Sequence, residues 1–381
     1  MIFTACQSGS LDDGSNSDNG NGNGGGEVHD PNNPLSNQKC SNNELLYISK
    51  SCLPMELNTY DGWGAKLISN TYENGVGRLT FNGEVTTIPK SVFYENELLE
   101  FFKMPDSVTS IGKGAFSVCT SLTSVTIGNG VTSIGDYAFL GCKSLTRVDI
   151  SDLSAWCKIS FGDGSANPLC NGAKPYLNGN ELTDITIPSD ITEIRDYAFY
   201  YCKSLTSVTI GNSVTAIGED AFFGCKSLTS VTIGNSVTSI GILAFYDCSS
   251  LTAFYGKFAS ADNRCLIVDG ELNSFAPAGL TEYTIPNSVT SIGYHAFYDC
   301  SSLTSVTIPD SVISIGYEAF MGCNSMTSVY CKPTTPPRGA SRMFNAHAVV
   351  RMIYVPAESV EAYRSAVDWK SYADYIKPYN F

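Results

Sequence analysis

Apolar and polar positions alternate along this chain in a pattern that returns every 23 residues. One copy reads SLTSVTIGNGVTSIGDYAFLGCK, from Ser121 to Lys143. The phenylalanine of its Ala-Phe pair recurs in register at Phe116, Phe139, Phe199, Phe222, Phe245, Phe297 and Phe320. A fixed period of this size predicts a repeat solenoid, in which each repeat forms one coil of a continuous stack.

Each repeat predicts two apolar segments and a tight turn. Alternation across residues 125–127 predicts a short strand that points Val and Ile inward and Thr outward. Gly128 then turns the chain, and Val131 and Ile134 form a second apolar pair before the Ala-Phe turn, which we expect to be 3₁₀ or helical. One coil buries too little surface to be stable, so stacked coils must share a core.

The register is interrupted twice by insertions. The repeat phenylalanines are 60 residues apart between Phe139 and Phe199, and 52 residues apart between Phe245 and Phe297. The extra residues lie around 151–180 and 256–279. Insertions in a repeat array map to loops and often decorate a binding face. Alternatively, their aromatic residues form small satellite cores beneath long loops.

Four parts follow along the chain. We expect a signal remnant and disordered tether at residues 1–35, a strand-rich N-terminal cap at 36–75, a solenoid at 76–348 and a C-terminal cap at 349–381. A degenerate first coil is predicted to start near Val76, because Val85, Ile88 and Phe93 keep the repeat register.

The C-terminal cap is predicted to contain a last strand at residues 353–356 and a helix within 357–375. Four apolar residues follow helical spacing there: Val360, Tyr363, Val367 and Trp369. A helix that covers the exposed end of a stack is what a solenoid needs.

The N-terminus combines a short apolar segment, small residues and Cys6 with a stretch at 7–34 that is rich in Gly, Asn, Ser and Asp. Such a stretch buries too little apolar surface to fold, so it should act as a tether. The order resembles the end of a bacterial lipoprotein signal, with Cys6 as the lipidated residue. The alternative is an accidental cysteine near a disordered end.

The charge and hydropathy of the chain disfavour some classes of binding partner. The chain has 23 basic and 37 acidic residues and a net charge of −14, which disfavours nucleic acid and anionic lipid. It has no apolar run long enough to span a bilayer. We therefore expect membrane contact only through a lipid anchor, and a monomer.

Fourteen cysteines raise the question of disulfides. Seven of them lie three residues after the repeat phenylalanine: Cys119, Cys142, Cys202, Cys225, Cys248, Cys300 and Cys323. Stacked coils give these residues parallel Cβ vectors, which disfavour bridging, so we predict buried free thiols. Cys40 with Cys52, and Cys157 with Cys170, are the candidate disulfides.

The sequence contains no motif that indicates a catalytic or metal site. The three histidines lie outside any nucleophile or metal motif, and His295 occupies a variable repeat position where we expect a surface side chain. The array has no C-x-x-C pair, and its carboxylates are scattered. We expect no enzyme activity, no cofactor, no metal and no catalytic residue.

The repeated motif I-[GP]-x-[ST]-V-T-x-I-G-x-x-A-F-x-x-C resembles that of the BspA-like leucine-rich repeat family of bacterial surface proteins, over roughly residues 76–330. The resemblance implies a leucine-rich-repeat solenoid, a right-handed superhelix with short parallel strands. It also implies cell-surface export and adhesion to host proteins. With its lipoprotein-like start, the chain resembles lipid-anchored outer-membrane proteins of Bacteroides-type bacteria.

Candidate ligand-binding residues are those that depart from the small hydroxyl side chains on the outward strand face. They are Arg147, Asp149, Tyr255, Glu282 and Tyr330, and the insertions beside them add the aromatic residues Trp156 and Phe258. A second row, after each repeat phenylalanine, consists of Tyr200, Phe223, Tyr246, Tyr298 and Met321, which are either exposed or packed on neighbouring turns. We predict a non-catalytic binding or adhesion protein for an extracellular or host protein. The alternatives are a glycan-binding surface protein and, because threonine ladders can order water, an ice-binding solenoid.

Overall fold

A computed structural model describes residues 33–339, 342–344 and 352–381 of the chain. It is a parallel-strand solenoid of about 12 turns with few helices, as the repeat predicted. The chain divides between Glu181 and Leu182 into two compact units. No helix in the described parts of the chain has the length and apolar character needed to cross a membrane.

The first unit consists of two sheets that share the coils. Its strands are β1 (Glu44–Ser49), β2 (Leu67–Glu73), β3 (Val76–Phe81), β4 (Thr87–Ile88), β5 (Leu99–Lys103), β6 (Ser110–Ile111), β7 (Ser124–Thr126), β8 (Ser133–Ile134), β9 (Arg147–Ile150), β10 (Ser160–Phe161), β11 (Lys174–Leu177) and β12 (Asn180–Glu181). One sheet has the order β12-β11-β9-β7-β5-β1-β3-β2, and the other has the order β10-β8-β6-β4. Each coil thus adds one strand to each sheet, because its two apolar segments face the same core.

The N-terminal cap is antiparallel, whereas the coils pair in parallel. β3 pairs antiparallel with β1 and with β2. The strand at Val76 therefore belongs to this antiparallel sheet, and the expected first coil begins only with β4, which pairs in parallel with β6. Val85, Ile88 and Phe93 are fully buried at the repeat positions, as their register predicted.

The first insertion builds coils instead of a loop. It contains helix α1 (Leu153–Cys157), 3₁₀ helices at Gly164–Ala166 and Pro168–Asn171, and the strands β10 and β11. Asp152 begins α1 because its side chain accepts hydrogen bonds from the backbone N–H groups of Ser154 and Ala155. The insertion therefore continues both sheets of the first unit.

The second unit repeats the two-sheet plan. Its strands are β13 (Asp184–Thr186), β14 (Glu193–Ile194), β15 (Ser207–Ile210), β16 (Ala216–Ile217), β17 (Ser230–Ile233), β18 (Ser239–Ile240), β19 (Ala253–Gly256), β20 (Cys265–Val268), β21 (Glu271–Phe275), β22 (Glu282–Thr284), β23 (Ser291–Ile292), β24 (Ser305–Ile308), β25 (Ser314–Ile315), β26 (Ser328–Cys331), β27 (Arg338–Gly339), β28 (Met352–Pro356) and β29 (Ile376–Tyr379). Its sheets have the orders β13-β15-β17-β19, β14-β16-β18, β20-β21-β23-β25-β27 and β22-β24-β26-β28-β29. The second insertion is the antiparallel hairpin β20–β21, and β21 pairs in parallel with β23.

The C-terminal cap contains one short helix, and the rest of residues 357–375 forms 3₁₀ turns and extended backbone. A 3₁₀ turn at Ala357–Ser359 leads into α2 (Val360–Ser365), and a second 3₁₀ helix at Lys370–Tyr375 precedes β29. The chain leaves the helix at Ala366, which has extended backbone angles. This break lets Trp369 turn into the core, where its Nε1–H donates to the carbonyl of Pro337 over 2.8 Å, whereas Val367 is 84% exposed.

The core is a ladder of parallel phenylalanine rings. Phe199 and Phe222 have ring centroids 5.2 Å apart at an interplanar angle of 5°. Phe222 and Phe245 continue the ladder at 5.3 Å and 3°. This spacing is close to the strand spacing of a sheet, so each coil contributes one ring to the same stack.

The Ala-Phe turns contain backbone conformations that prevent a helix. Ala115, Ser117 and Cys119 each donate to the carbonyl three residues earlier, as expected for 3₁₀ turns. However, the residue before each Ala and the second residue after each Phe are left-handed. The residues before Ala are Gly114, Tyr137, Tyr197, Asp220, Leu243, His295 and Glu318. The second residues after Phe are Val118, Gly141, Tyr201, Gly224, Asp247, Asp299 and Gly322.

The seven repeat cysteines are buried free thiols, as predicted. The Sγ–H of Cys142 donates to the carbonyl of Phe116 over 3.1 Å, and that of Cys225 donates to the carbonyl of Phe199 over 3.3 Å. The same bond, to the repeat phenylalanine of the preceding coil, is made by Cys119, Cys248 and Cys323.

Both candidate disulfides are wrong. Cys40, Cys157 and Cys170 are free cysteines. The Sγ–H of Cys40 donates to the carbonyl of Glu44 over 3.3 Å, and burial raises the pKa of the Cys40 thiol to about 12. The Sγ–H of Cys170 donates to the carbonyl of Phe139 at 3.9 Å.

Candidate functional site

The outward strand face of the second unit begins with a regular ladder of threonines. Thr186, Thr209, Thr232 and Tyr255 lie side by side on the parallel strands β13, β15, β17 and β19. The first three present the same small hydroxyl group. Tyr255 ends the row and is 45% exposed, so the ladder that the ice-binding alternative requires stops after three rungs here.

Tyr255 is held at this position by the turn that follows it. Gly256 has φ of +83°, and a Cβ there would lie 2.1 Å from the carbonyl oxygen of Ile233. The chain then reaches Phe258, which is half-buried beneath the ammonium group of Lys257 at 4.9 Å from its ring centroid. Two of the predicted residues, Tyr255 and Phe258, therefore lie on either side of this turn, at the start of the second insertion.

Glu282 and Tyr330 lie on the last sheet of the same unit. Glu282 on β22 is exposed and pairs with Ser305. Tyr330 on β26 is half-buried because its ring stacks on Tyr354 at a centroid distance of 4.9 Å. Tyr379 packs edge-on against both rings, at 5.3 and 5.6 Å.

We call Tyr330, Tyr354 and Tyr379 the tyrosine cluster. Phe381 extends it, with its ring centroid 4.9 Å from that of Tyr379. Tyr379 and Phe381 are 42% and 49% exposed. Sequence reasoning missed Tyr354, although it follows the outward alternation of the predicted strand at residues 353–356, and it missed Tyr379 because β29 was not predicted.

Arg147 and Asp149 are buried, which corrects their assignment to the exposed face. They are 6% and 9% exposed. The Arg147 guanidinium donates to both carboxylate oxygens of Asp149, with Nη2 2.7 Å from Oδ1 and Nε 2.8 Å from Oδ2. It also lies 3.8 Å from the ring centroid of Tyr176, on the next strand. The pair is therefore an internal ion pair of the first unit.

The cover over this pair is residues 33–39, which we call the N-terminal strap. The side-chain amide of Asn33 donates to Oδ2 of Asp149 over 2.8 Å. The ammonium group of Lys103 donates to the carbonyls of Leu35, Ser36 and Gln38 over 2.9, 3.1 and 2.8 Å. Asn33 and Leu35 are buried, so packed structure starts within the expected tether.

Trp156 is buried in the coil that the first insertion adds to the sheets. It is 2% exposed, and its ring lies 5.6 Å from that of Phe161. Because the insertion continues the two sheets, Trp156 packs inside the solenoid and does not reach a ligand surface. Cys6, the predicted lipidation site, lies outside the described residues.

The second aromatic row packs on itself. Tyr200, Phe223 and Tyr246 stack with centroid distances of 5.0 and 4.7 Å, and all are half-buried. His295 is not the surface side chain that we expected, because its side chain is only 8% exposed and its Nε2 lies 2.9 Å from Oε2 of Glu318. Its left-handed backbone turns the ring inward among tyrosines.

No group of three or more His, Cys, Asp or Glu side chains in the described chain is arranged to hold a metal ion. The repeats match the family model of the BspA type leucine-rich repeat region, in six copies at residues 74–163, 173–261 and 271–365. This chain belongs to the BspA-type leucine-rich repeat family. The resemblance inferred from the repeat motif is thereby confirmed.

Several solved structures are similar to this leucine-rich repeat protein. A leucine rich cell surface protein from Faecalibacterium prausnitzii is 26% identical with a TM-score of 0.49, and the alignment covers 83% of this chain and 87% of that chain. A leucine-rich repeat protein from Eubacterium ventriosum is 24% identical with a TM-score of 0.39, covering 63% and 81%. The pneumococcal vaccine antigen PcpA is 17% identical with a TM-score of 0.43, covering 78% and 72%. Comparison with curated proteins gives no match.

Proposed function

We propose that this leucine-rich repeat protein is a non-catalytic binding protein of the cell surface, and that its ligand is an extracellular or host protein. The contrast on the outward strand face supports this proposal. Regular rungs present identical small hydroxyl groups, which encode little specificity. Tyr255, Glu282 and Tyr330 interrupt them with side chains of the kind that dominate binding energy or set charge complementarity.

A glycan is the second candidate ligand. The tyrosine cluster supports it, because Tyr330 and Tyr354 stack at an interplanar angle of 14° and Tyr379 exposes part of its ring beside them. Aromatic faces of this kind combine an apolar surface with a hydroxyl that accepts and donates hydrogen bonds.

Purified extracellular matrix proteins and a glycan array, both probed with the full chain, separate the two candidates. We expect saturable binding to at least one protein, which weakens when Tyr255 and Glu282 are changed together to Ala and Gln. Binding to glycans alone, lost on Tyr379→Ala, would assign the second function. Turnover of any substrate, abolished by one point mutation, would contradict the non-catalytic proposal.

We further propose that Cys6 carries a lipid that anchors the protein to the outer membrane. The apolar and small residues before Cys6 and the polar tether after it support this proposal. Expressed in its host behind its own signal, the protein should partition with membranes, and the Cys6→Ala variant should be released. Equal partitioning of both forms would refute the anchor.

A further inference from the structure

In the regular coils of the second unit, the Ala-Phe turns are joined by backbone hydrogen bonds. In the turn at Phe199, the N–H groups of Tyr197, Phe199 and Tyr201 donate to carbonyls of the next coil over 3.0, 2.7 and 2.7 Å. These bonds satisfy donors that a tight turn cannot pair internally.

At the second insertion this connection is absent from the described structure. The equivalent donors are the N–H groups of Leu243, Phe245 and Asp247, and the equivalent acceptors are the carbonyls of Tyr294, Ala296 and Tyr298; no backbone hydrogen bond joins the two sets. The hairpin supplies Phe275, whose ring packs 4.5 Å from that of Phe297, but no Ala-Phe turn of its own. The two turns are therefore separated at this point by a cavity.

This cavity has a volume of about 70 Å³ and lies between the two turns and strand β21. Its lining includes three carboxylates, Asp247, Asp299 and Glu271, and no lysine or arginine among the described residues. Burial, and then the charge of Asp247, raise the pKa of Asp299. The rings of Tyr246 and Tyr298, with centroids 4.2 Å apart, form part of its wall.

Two buried polar atoms of the lining residues have no hydrogen-bond partner: Nδ1 of His295 and Oδ1 of Asp247. The other carboxylate oxygen of Asp247 lies 3.0 Å from the ammonium group of Lys226. When the Nε2–H of His295 donates to Glu318, its Nδ1 carries a lone pair. Both atoms are then acceptors, and a buried acceptor without a donor is unfavourable, so a ligand that donates to it is stabilised.

We propose that this cavity binds a guanidinium group, carried either by an arginine side chain of a protein or by a small free guanidine. Guanidinium presents five N–H donors in one plane, which suits the unpartnered acceptors Oδ1 of Asp247 and Nδ1 of His295. Its charge suits three carboxylates, and its flat face suits the tyrosine rings. The volume is several times the roughly 10–15 Å³ that a cavity needs to hold one water, so it admits a planar group of four heavy atoms.

The cavity can be reached from solvent, because its lining residues Ile242 and Tyr294 are 59% and 45% exposed. That the arginine belongs to a protein ligand rests on the proposed function. That the cavity binds a guanidinium group does not, because it is argued from the lining residues alone. The test therefore uses small probes, so that its result is independent of any protein ligand.

The full chain is titrated with N-acetyl-arginine amide, methylguanidine, N-acetyl-lysine amide and N-acetyl-citrulline amide, and binding is followed by calorimetry. Citrulline is the matched control, because it keeps the shape of arginine but lacks the charge. We expect saturable millimolar or tighter binding of the two guanidines and at least about tenfold weaker binding of citrulline and lysine. Tighter binding of N-acetyl-arginine amide than of methylguanidine, which has the same charge, indicates a protein side chain, and the reverse order indicates a free guanidine.

The variant Asp247→Asn should weaken the binding of both guanidines about tenfold, and Tyr298→Ala should weaken it to a smaller extent. Glu219→Gln, an exposed charge change in the preceding coil, is the control and should leave binding unchanged. Melting curves establish that each variant is folded. Equal binding of arginine and citrulline probes, binding unaffected by Asp247→Asn, or no binding of any probe at millimolar concentration would overturn the proposal.

Discussion

At the scale of single residues, the repeat cysteine illustrates how far the sequence leads. Its position after each repeat phenylalanine predicted a buried thiol without a disulfide, and the structure confirms both. The bond from the Cys225 thiol to the Phe199 carbonyl was not predictable, because it joins residues of successive coils. This hydrogen bond forms only when the turn of one coil lies directly beside the turn of the next, and the sequence period alone does not give that alignment.

Replacement of Cys225 by Ser should lower the free energy of unfolding by about 1–3 kcal/mol, because a hydroxyl is costlier to bury than a thiol unless its hydrogen bond is ideal. Urea unfolding measures the change. Cys170→Ser at a half-buried position is the control and should cost less. A stability equal to wild type for Cys225→Ser would contradict this account of the thiol.

Native labelling with a thiol reagent should leave the repeat cysteines unmodified. Burial raises the pKa of the Cys119 thiol to about 12 and that of Cys225 well above its usual value, so neither forms the reactive thiolate near neutral pH. Mass spectrometry identifies the modified residues, and in denatured protein all seven repeat cysteines should label without reductant. Rapid native labelling of most repeat cysteines would show that the coils are not closed around them.

Asp220 should make stability depend on pH. Burial, followed by the nearby charges of Glu219 and Asp196, raises the pKa of the Asp220 carboxyl to about 7, so the folded protein holds a proton that the unfolded chain has released. Stability should therefore fall as pH rises from about 4 to 7, and the penalty should persist above 7. Because Asp220 is partly exposed, we expect only about 1 kcal/mol, well below the full shift.

The Asp220→Asn variant removes this titration and keeps a side chain that tolerates the left-handed backbone. It should be more stable than wild type at pH 8, with a difference that shrinks toward pH 5. Asp269→Asn, an exposed left-handed aspartate, controls for the loss of charge and should show no such trend. A pH-independent difference for Asp220→Asn would rule out the raised pKa.

At the scale of elements, the 23-residue period correctly predicted the strands of the regular coils but not the structure of the insertions. Two strands per coil and their parallel register follow from where Val and Ile recur. The first insertion was expected as a loop because it lacks the motif, yet β10 and β11 continue the sheets through it. Strand pairing needs only backbone and an apolar inward side chain, and neither leaves a specific sequence signal.

In the C-terminal cap, the apolar residues at helical spacing extend beyond the short helix itself. Tyr363 and Trp369 are both fully buried, as their spacing suggested. They reach the core from separate short elements, since the backbone becomes extended at Ala366. Helical spacing records which residues are buried, but tertiary packing decides whether one helix buries them.

The left-handed turn positions can be tested with one pair of variants. Gly224 has φ of +70°, and a Cβ there would lie 2.9 Å from Cδ1 of Tyr201, whereas a Cβ at Gly211 would meet nothing within 4 Å. We expect Gly224→Ala to destabilise the protein by about 1–2 kcal/mol, because it adds strain and contact to a left-handed residue. Gly211→Ala should be close to neutral in the same urea unfolding measurement. Equal effects would contradict the role assigned to the turn.

At the scale of the whole molecule, two units present strand faces that differ in how much of them is accessible. The sequence identified the residues that depart from the hydroxyl ladder, but it could not tell which of them are covered. Arg147 and Asp149 are buried because the N-terminal strap crosses them, and Asn33 lies 116 residues from Asp149 along the chain. Tyr255 remains 45% exposed because no segment of the described chain covers it as the N-terminal strap covers Arg147 and Asp149.

Affinity measured on matched rungs tests the proposed binding function most directly. Tyr255→Ala and Tyr330→Ala should each weaken binding of the extracellular protein ligand at least about tenfold, since aromatic anchors carry most binding energy. Thr209→Ala and Thr232→Ala, on the regular rungs, should change it less than about twofold. All four variants should melt within a few degrees of wild type. Tyrosine variants that bind like wild type, or threonine variants that lose as much affinity as the tyrosine variants, would contradict a ligand site on the irregular rungs.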